Sequence, residues 1–426
     1  MATEFPNSRD RLEAGPTGRR RVVVTGVSVA CALGFEVEEF WRGLLEGRCG
    51  ISRLPGIPDD SPLPVKIAGC IADEALAGAL PRYGIDAPGR SDQLGLYAVG
   101  RALEDAGFPT DGARELEMDL IVGSGHGGVA ISNVGTRALY TEGYRKLRPT
   151  TVVRTMFNHT TSSASIRYKL VGASFAVSCA CASGAVAFSE AFHHVRYGEA
   201  ESAVAACCDT GLDFATFAAW NRLGVLSRTL DPTAACRPFD KKRNGLVIGE
   251  GAAGFVLETL ESAQARGASI WAEVLSCASS SDARHIVQPD SAGQVKAVRK
   301  ALAAAGLAPG DIDYVNAHGT ATELSDVVES ASLRAVFGAH ADRLPVSNTK
   351  AQLGHLMGAT AGVELVTTLL VLKHGLIPPC RNLDEPDPRC PLHFVRHEPL
   401  HAPITHAMKN SFAFGGTNCA IVLRRW

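Results

Sequence analysis

The sequence predicts a layered α/β fold, and three features carry the prediction. Short apolar runs recur along the chain, helix-like segments with glycine stops lie between them, and the length suffices for more than one core. At 426 residues the chain exceeds what one simple core holds, so a duplicated architecture is expected.

The elements follow in order. Residues 1–20 are polar and charged, with Pro6, Gly15 and Pro16, and read as a disordered tail that lacks the apolar centre of a secretory signal. Arg21–Val29 is a β-branched run ended by small residues, and reads as the first strand. Ser91–Gly107 reads as a helix, and Asp119–Ser124, Ser174–Cys179, Ala203–Cys208 and Gly254–Glu258 as strands buried on both faces. Ser183–Tyr197 is a second helix, stopped at Gly198. From Ile270 the same grammar returns: strand Trp271–Cys277, helix Gly293–Ala305, strand Ile312–Ala317, helix Asp326–Phe337, then Gly362–His374 and the terminal strand Asn418–Leu423. The pattern places an N-terminal half at 21–269 and a C-terminal half at 270–426, although no sequence repeat links them. Within Lys146–Ser165, the run Asn158–Ser165 is too polar for a core and reads as a pocket wall or a subunit interface.

Composition removes several function classes. With 46% hydrophobic and 20% charged residues, and 42 basic against 44 acidic side chains, nothing favours nucleic acid. No apolar run approaches the roughly 18 residues of a membrane span, Val363–Leu372 being among the longest, and a cytoplasmic location is expected. The twelve cysteines are scattered through apolar segments, which argues against a disulfide framework. Cys179/Cys181 and Cys207/Cys208 lack the CxxC spacing of zinc sites, so no metal is expected.

The strongest functional signal is Cys181, in the run Ala176-Val-Ser-Cys-Ala-Cys-Ala-Ser-Gly-Ala185. A thiol between a strand pattern and a helix start meets unpaired N–H groups and the positive helix end, which are expected to lower its pKa from ~8.5. The alternative is an inert buried cysteine. Three downstream segments favour chemistry: Asn316-Ala-His-Gly-Thr-Ala-Thr322 offers an imidazole at a strand end, and Asn348-Thr-Lys-Ala-Gln-Leu-Gly-His355 a lysine and a second imidazole. The third, Asn410-Ser-Phe-Ala-Phe-Gly-Gly-Thr-Asn418, is a glycine-rich turn.

Together with Arg237-Pro-Phe-Asp240 and Gly249-Glu-Gly-Ala252, these motifs resemble, in family order from about Arg21 to Arg425, the β-ketoacyl-[acyl carrier protein] synthases of the thiolase superfamily. The resemblance implies a five-layered αβαβα fold with two pseudo-duplicated halves, usually dimeric. It implies decarboxylative Claisen condensation with malonyl-[acyl carrier protein], with no cofactor beyond the phosphopantetheine on that carrier. By resemblance Cys181 is the acyl-accepting nucleophile, and His318 and His355 assist decarboxylation and stabilise the enolate. Lys350 orients these groups, its structural alternative being an ion pair with Glu329 or Glu364. Asp326 resembles a scaffold position. Phe414 resembles the gate, in a turn with Gly415 and Gly416, and its N–H and that of Cys181 resemble an oxyanion hole. Thr320 and Thr322 resemble the pantetheine-binding threonines, the alternative being turn hydroxyls. Lys241, Lys242 and Arg243 are candidates for a basic patch facing an acidic carrier.

Some positions depart from the family. Ala413 stands where glycine is common, and Ala206-Cys207-Cys208 replaces a Gly-Gly pair before Asp209. His126, in Gly123-Ser-Gly-His-Gly-Gly128, stands where the acyl pocket usually has an aliphatic residue or glycine, and Trp220 replaces a smaller aromatic. An unpartnered buried imidazole would burden a saturated chain by about one to a few kcal/mol. The departures point to a shorter or more polar pocket and to polyketide, polyene or other specialised synthesis, the alternative being housekeeping fatty acid elongation. A coenzyme-A-primed synthase would carry Asn for the second His, and a non-catalytic chain-length subunit would lack Cys181. A homodimer, or a heterodimer with a chain-length-factor-like subunit, fits the resemblance.

Overall fold

The computed structural model describes residues 19–87 and 89–426. Apart from Arg19 and Arg20, the tail predicted over 1–20 lies outside the described residues. The central feature is an eleven-stranded mixed sheet. Its strands are β1 Val22–Ala30, β2 Asp119–Gly123, β3 Ser174–Val177, β4 Ser202–Asp209, β5 Gly251–Thr259, β6 Ala272–Ser281, β7 Tyr314–Asn316, β8 Pro345–Ser347, β9 His393–Phe394, β10 His406–Phe412 and β11 Thr417–Arg425.

The spatial order is β9-β8-β7-β10-β11-β6-β1-β5-β4-β2-β3. Outward from β1 it runs first, fifth, fourth, second, third strand of the N-terminal half. Outward from β6 the same sequence recurs, with β9 added at the edge. Orientations match too: β2 is parallel to β3 and β4, as β7 is to β8 and β10, while β4–β5 and β10–β11 are antiparallel. The halves meet where Val22–Val24 of β1 pair antiparallel with Ala272–Val274 of β6. Duplication absent from the sequence is therefore explicit in the topology.

Period-two burial builds the layers, because successive strand residues point to opposite faces. On one face Leu120, Val122, Val204 and Ala206 pack beneath Val99 and Leu103 of helix α1, Arg90–Asp105. On the other, Ile121, Ala203 and Ala205 meet helices α2, Ser183–Tyr197, and α5, Thr360–His374, through Phe188, Phe192, Leu365 and Leu369. The same central helices cover Ile421 and Leu423 of β11, whose neighbours Ala420 and Val422 face helices α3, Ser291–Ala305, and α4, Glu323–Phe337. The result is five layers. Helix α5 is apolar nearly all round because it has sheet on both sides, and Thr360 to Leu372 are buried throughout.

Two expectations need correction, and one helix was not anticipated. The strand expected over Ser174–Cys179 ends at Val177 and is a half-exposed edge strand, because only β2 pairs with it. The polar Asn158–Ser165 run belongs to a helix, His159–Tyr168, whose Thr160, Thr161, Ala164 and Tyr168 are buried; Thr160 satisfies its hydroxyl on Asp92 at 2.5 Å. The helix Val129–Glu142 has no buried residue, so its sequence carries no core-facing stripe to announce it. All twelve cysteines are free thiols.

Candidate active site

Cys181 lies in a 3₁₀ turn, Ala180–Ala182, immediately before α2. Ala180 takes φ +48°, a left-handed conformation, and the Ser183 hydroxyl fixes the turn by accepting the Cys179 N–H at 2.9 Å and donating to the Ala180 carbonyl at 2.7 Å. The turn presents a buried thiol to the backbone N–H of Phe414. The expected drop in pKa is not what the environment produces. Burial pushes the thiol up to about 11, and the Phe414 N–H and the charge of Lys350 offset this only in part. Desolvation of a fully enclosed sulfur outweighs the helix end.

His318 follows β7 on a loop held by buried carboxylates. Glu329 accepts the N–H groups of His318 and Gly319, each at 2.7 Å, and Asp326 accepts those of Thr320 at 2.9 Å, Ala321 at 3.1 Å and Phe239 at 2.7 Å. Burial raises Glu329 to about 7 and Asp326 to about 6, against the lowering effect of these donors. The Asn348 amide donates to the carbonyls of Ala317 and His318 at 3.0 Å each.

His355 is aimed by Gly354, at φ +75°, and by its N–H bond to the Val247 carbonyl at 2.6 Å. Its Nδ1 accepts the Met357 N–H at 3.1 Å and lies 2.8 Å from the Thr360 hydroxyl, which places the ring proton on Nε2. The two imidazoles meet edge to face, ring centres 5.5 Å apart. Burial, then the charge of Lys350, holds both well below the usual histidine range, so both are neutral.

Lys350 donates to the His318 carbonyl and pairs with Glu364 at 2.8 Å. Of the two acids offered as its partner, Glu364 is the one in contact. Sequence reading missed Lys409, on β10, which pairs with the other oxygen of Glu364 at 3.0 Å. All three side chains are buried. A lysine directly after Ala407 and Met408, leading into the Asn410–Asn418 turn, was the available signal.

A cavity of about 150 Å³ brings the distant segments together: Cys181, His318, His355, Thr320, Thr322, Trp220 and Phe414 all line it. The two threonine hydroxyls are 2.9 Å apart. Gly415 and Gly416 form the turn behind Phe414 with φ of +82° and +78°, a consecutive left-handed pair that side chains disfavour. The turn is tied to the neighbouring loop: Gly415 N–H donates to the Ile286 carbonyl at 2.8 Å, and Asp282 N–H to the Gly416 carbonyl at 2.9 Å.

His126 does not line this cavity. It lines a neighbouring cleft of about 490 Å³, which shares Trp220 with the first. Nor is it unpartnered: Nδ1 lies 3.0 Å from the Asp209 carboxylate and Nε2 accepts the Trp220 indole N–H at 3.3 Å. Burial works against charge on this ring, but Asp209 prevails and the pKa is raised. The proposed basic patch also changes. Arg243 is buried, paired with Asp387 at 2.7 Å and near Asp326, while Lys241 pairs with Glu385 at 2.8 Å.

Fold and site together define a thiolase-like condensing enzyme, and comparison with known proteins agrees. Residues 19–263 match the β-ketoacyl synthase N-terminal domain, and residues 271–384 its C-terminal domain. The 3-oxoacyl-[acyl-carrier-protein] synthase 2 of Coxiella burnetii is 35% identical over 96% of this chain and 99% of its own length. Among solved structures, a β-ketoacyl synthase from Burkholderia phymatum superposes with TM-score 0.88 at 34% identity, covering 96% of this chain and 100% of its own. The ishigamide ketosynthase/chain length factor superposes with TM-score 0.87 at 31% identity and the same coverage. The chain belongs to the β-ketoacyl synthase family, and is an acyltransferase of the ketosynthase type.

Proposed function

We propose that the chain condenses an acyl primer held on Cys181 with malonyl-[acyl carrier protein], in polyketide, polyene or related specialised synthesis. The observation that carries this reading is the convergence of Cys181, His318, His355, both threonines and Phe414 on one cavity. In the first step the Cys181 sulfur attacks the carrier thioester. The pantetheine thiolate leaves and takes up the proton that Cys181 gives up, while the N–H groups of Cys181 and Phe414 stabilise the tetrahedral oxyanion. Malonyl thioester then loses carbon dioxide, and the electron pair of the broken C–C bond becomes an enolate. The neutral imidazoles serve here as aimed hydrogen-bond donors, with His355 donating from Nε2. The enolate carbon attacks the acyl-cysteine carbonyl, the C–S bond breaks, and the released thiolate takes a proton from solvent. Lys350 is a positioning residue that holds the His318 loop through its carbonyl. Thr320 and Thr322 bind the pantetheine arm, which belongs to the carrier substrate.

The specialised pathway draws support from the likeness to the ishigamide ketosynthase/chain length factor and from the polar His126–Trp220 pair. Fatty acid elongation in the cytoplasm is the second reading; the curated relatives are named 3-oxoacyl-[acyl-carrier-protein] synthase 2. The chain acts as a dimer, with a second copy or a chain-length-factor-like subunit against edge strand β3, and the exposed Val152, Val153, Met156 and Phe157 are further candidates for that contact. Mass spectrometry of the purified chain with acyl carriers and then malonyl carrier tests the reaction. Acylation at Cys181 followed by a carrier-bound β-ketoacyl product two carbons longer is expected. Absence of both from the folded chain, alone and co-expressed with a chain-length subunit, would remove the reading.

A further inference from the structure

Trp220 lines two neighbouring spaces. One is the Cys181 cavity, where the indole stacks on Phe414 with ring centres 6.2 Å apart. Trp220 also lines the other, the larger cleft, together with His126, Asn133, Thr216 and Leu223. Its position is set by a polar relay. Asp209 is fully buried and accepts the backbone N–H groups of Gly358 at 2.8 Å, Gly125 at 2.9 Å and His126 at 3.2 Å. The same carboxylate receives the Nδ1 proton of His126, so Nε2 is left as a lone-pair acceptor, and that acceptor holds the Trp220 N–H.

Resting on the β-ketoacyl synthase reading, we infer that the Trp220–His126–Asp209 relay is a latch that selects acyl chains carrying a hydroxyl group. A chain longer than the Cys181 cavity must turn Trp220 aside to reach the cleft. Doing so takes the indole N–H from Nε2 of His126, whose side chain is 16% exposed. A saturated chain leaves that acceptor without a donor. A chain with a suitably placed hydroxyl supplies the donor itself and restores the bond. Leaving a buried acceptor unmade costs enough to shift rates by about tenfold or more. Polar groups of the cleft, Asn133 and Thr216, extend the same preference, although each already has a protein partner: Asn133 donates to Asp213 at 2.8 Å and to Thr216 at 3.3 Å.

The test compares octanoyl-carrier with octanoyl-carriers hydroxylated at carbon 5, 6, 7 or 8, measuring the rate of Cys181 acylation by intact mass in alkaline buffer, because Asp209 raises the pKa of the His126 ring. The wild-type chain is expected to accept at least one hydroxylated primer about tenfold faster than the saturated one. His126→Leu removes the acceptor and should erase that ratio, whereas His126→Gln retains an acceptor and should keep part of it. Because each ratio is taken within one protein sample, partial loss of folded protein does not alter it. Equal wild-type rates for all primers, or an undiminished ratio in His126→Leu, overturns the inference. Acetyl- and butyryl-carriers distinguish its failure from that of the reaction itself. If Cys181 takes neither, alone or co-expressed with a chain-length subunit, the condensing reading falls and the latch with it; if it takes both without favouring hydroxylated octanoyl groups, only the latch falls.

Discussion

Replacing Glu364 with glutamine tests the electrostatic centre of the protein. In the native state one carboxylate serves two buried ammonium groups, Lys350 at 2.8 Å and Lys409 at 3.0 Å. At an effective dielectric constant of about 20, each contact is worth about 6 kcal/mol of gross attraction, much of it offset by desolvation. Removing one member of a buried pair costs about 3–5 kcal/mol, because the partner charge stays buried. With unfolding entropy of about 2.1 cal/mol/K per residue, 426 residues give about 0.9 kcal/mol/K, so Tm should fall by about 3–6 °C. The sign of the pH dependence is a second check. Burial, reinforced by the charge of Lys350, already lowers the Lys409 pKa against the raising effect of Glu364, and the substitution lowers it further. Between that pKa and the unfolded value near ~10.4 the unfolded chain binds the additional proton, so the variant regains stability as pH rises. Lys409→Met leaves Glu364 paired with Lys350, so it should cost less than Glu364→Gln and, combined with it, restore about 1–3 kcal/mol. Calorimetry of the four proteins at neutral and alkaline pH decides. A Glu364→Gln protein melting within about 1 °C of wild type, or strict additivity of the pair, refutes the reasoning.

The thiol of Cys181, held at about 11 by burial, should be alkylated by iodoacetamide at a rate rising about tenfold per pH unit between about pH 7 and 10, read from the labelled peptide. A plateau below about pH 8 would show that the helix end governs the sulfur instead. Glu329 is raised to about 7, above its unfolded value near ~4.3, so the native state holds its proton longer and stability declines as pH rises through that window. The denaturation free energy of wild type relative to Glu329→Gln should therefore drop by up to about 3 kcal/mol from pH 5 to pH 8, and a pH-independent difference would contradict this.

Local pattern carried much of the fold. Helix α2 was legible to the residue, Ser183–Tyr197 with its stop at Gly198, because the helical run and the left-handed cap, φ +83°, are both written in neighbouring residues. Helix Val129–Glu142 was not legible, since nothing in the described residues buries it and a sequence shows core-facing helices by their apolar stripe. Cys181, His318, His355 and Phe414 were visible as motif residues, each tied to local turn chemistry. Their common cavity was not, since they lie on four separate segments.

What the sequence determined by itself is whatever depends on near neighbours: strand and helix periods, the glycines of the gate turn, the cysteine at a helix start, and a family resemblance through motifs in order. Tertiary structure alone decided the energetics. It gave Glu364 to Lys350 and added Lys409, buried Arg243 with Asp387, partnered His126 with Asp209 and Trp220, and raised the Cys181 thiol where its helix end predicted a fall. The reason is common to all of these: the free energy of a charge or a proton depends on how much water it has lost and which group from a distant segment replaces that water.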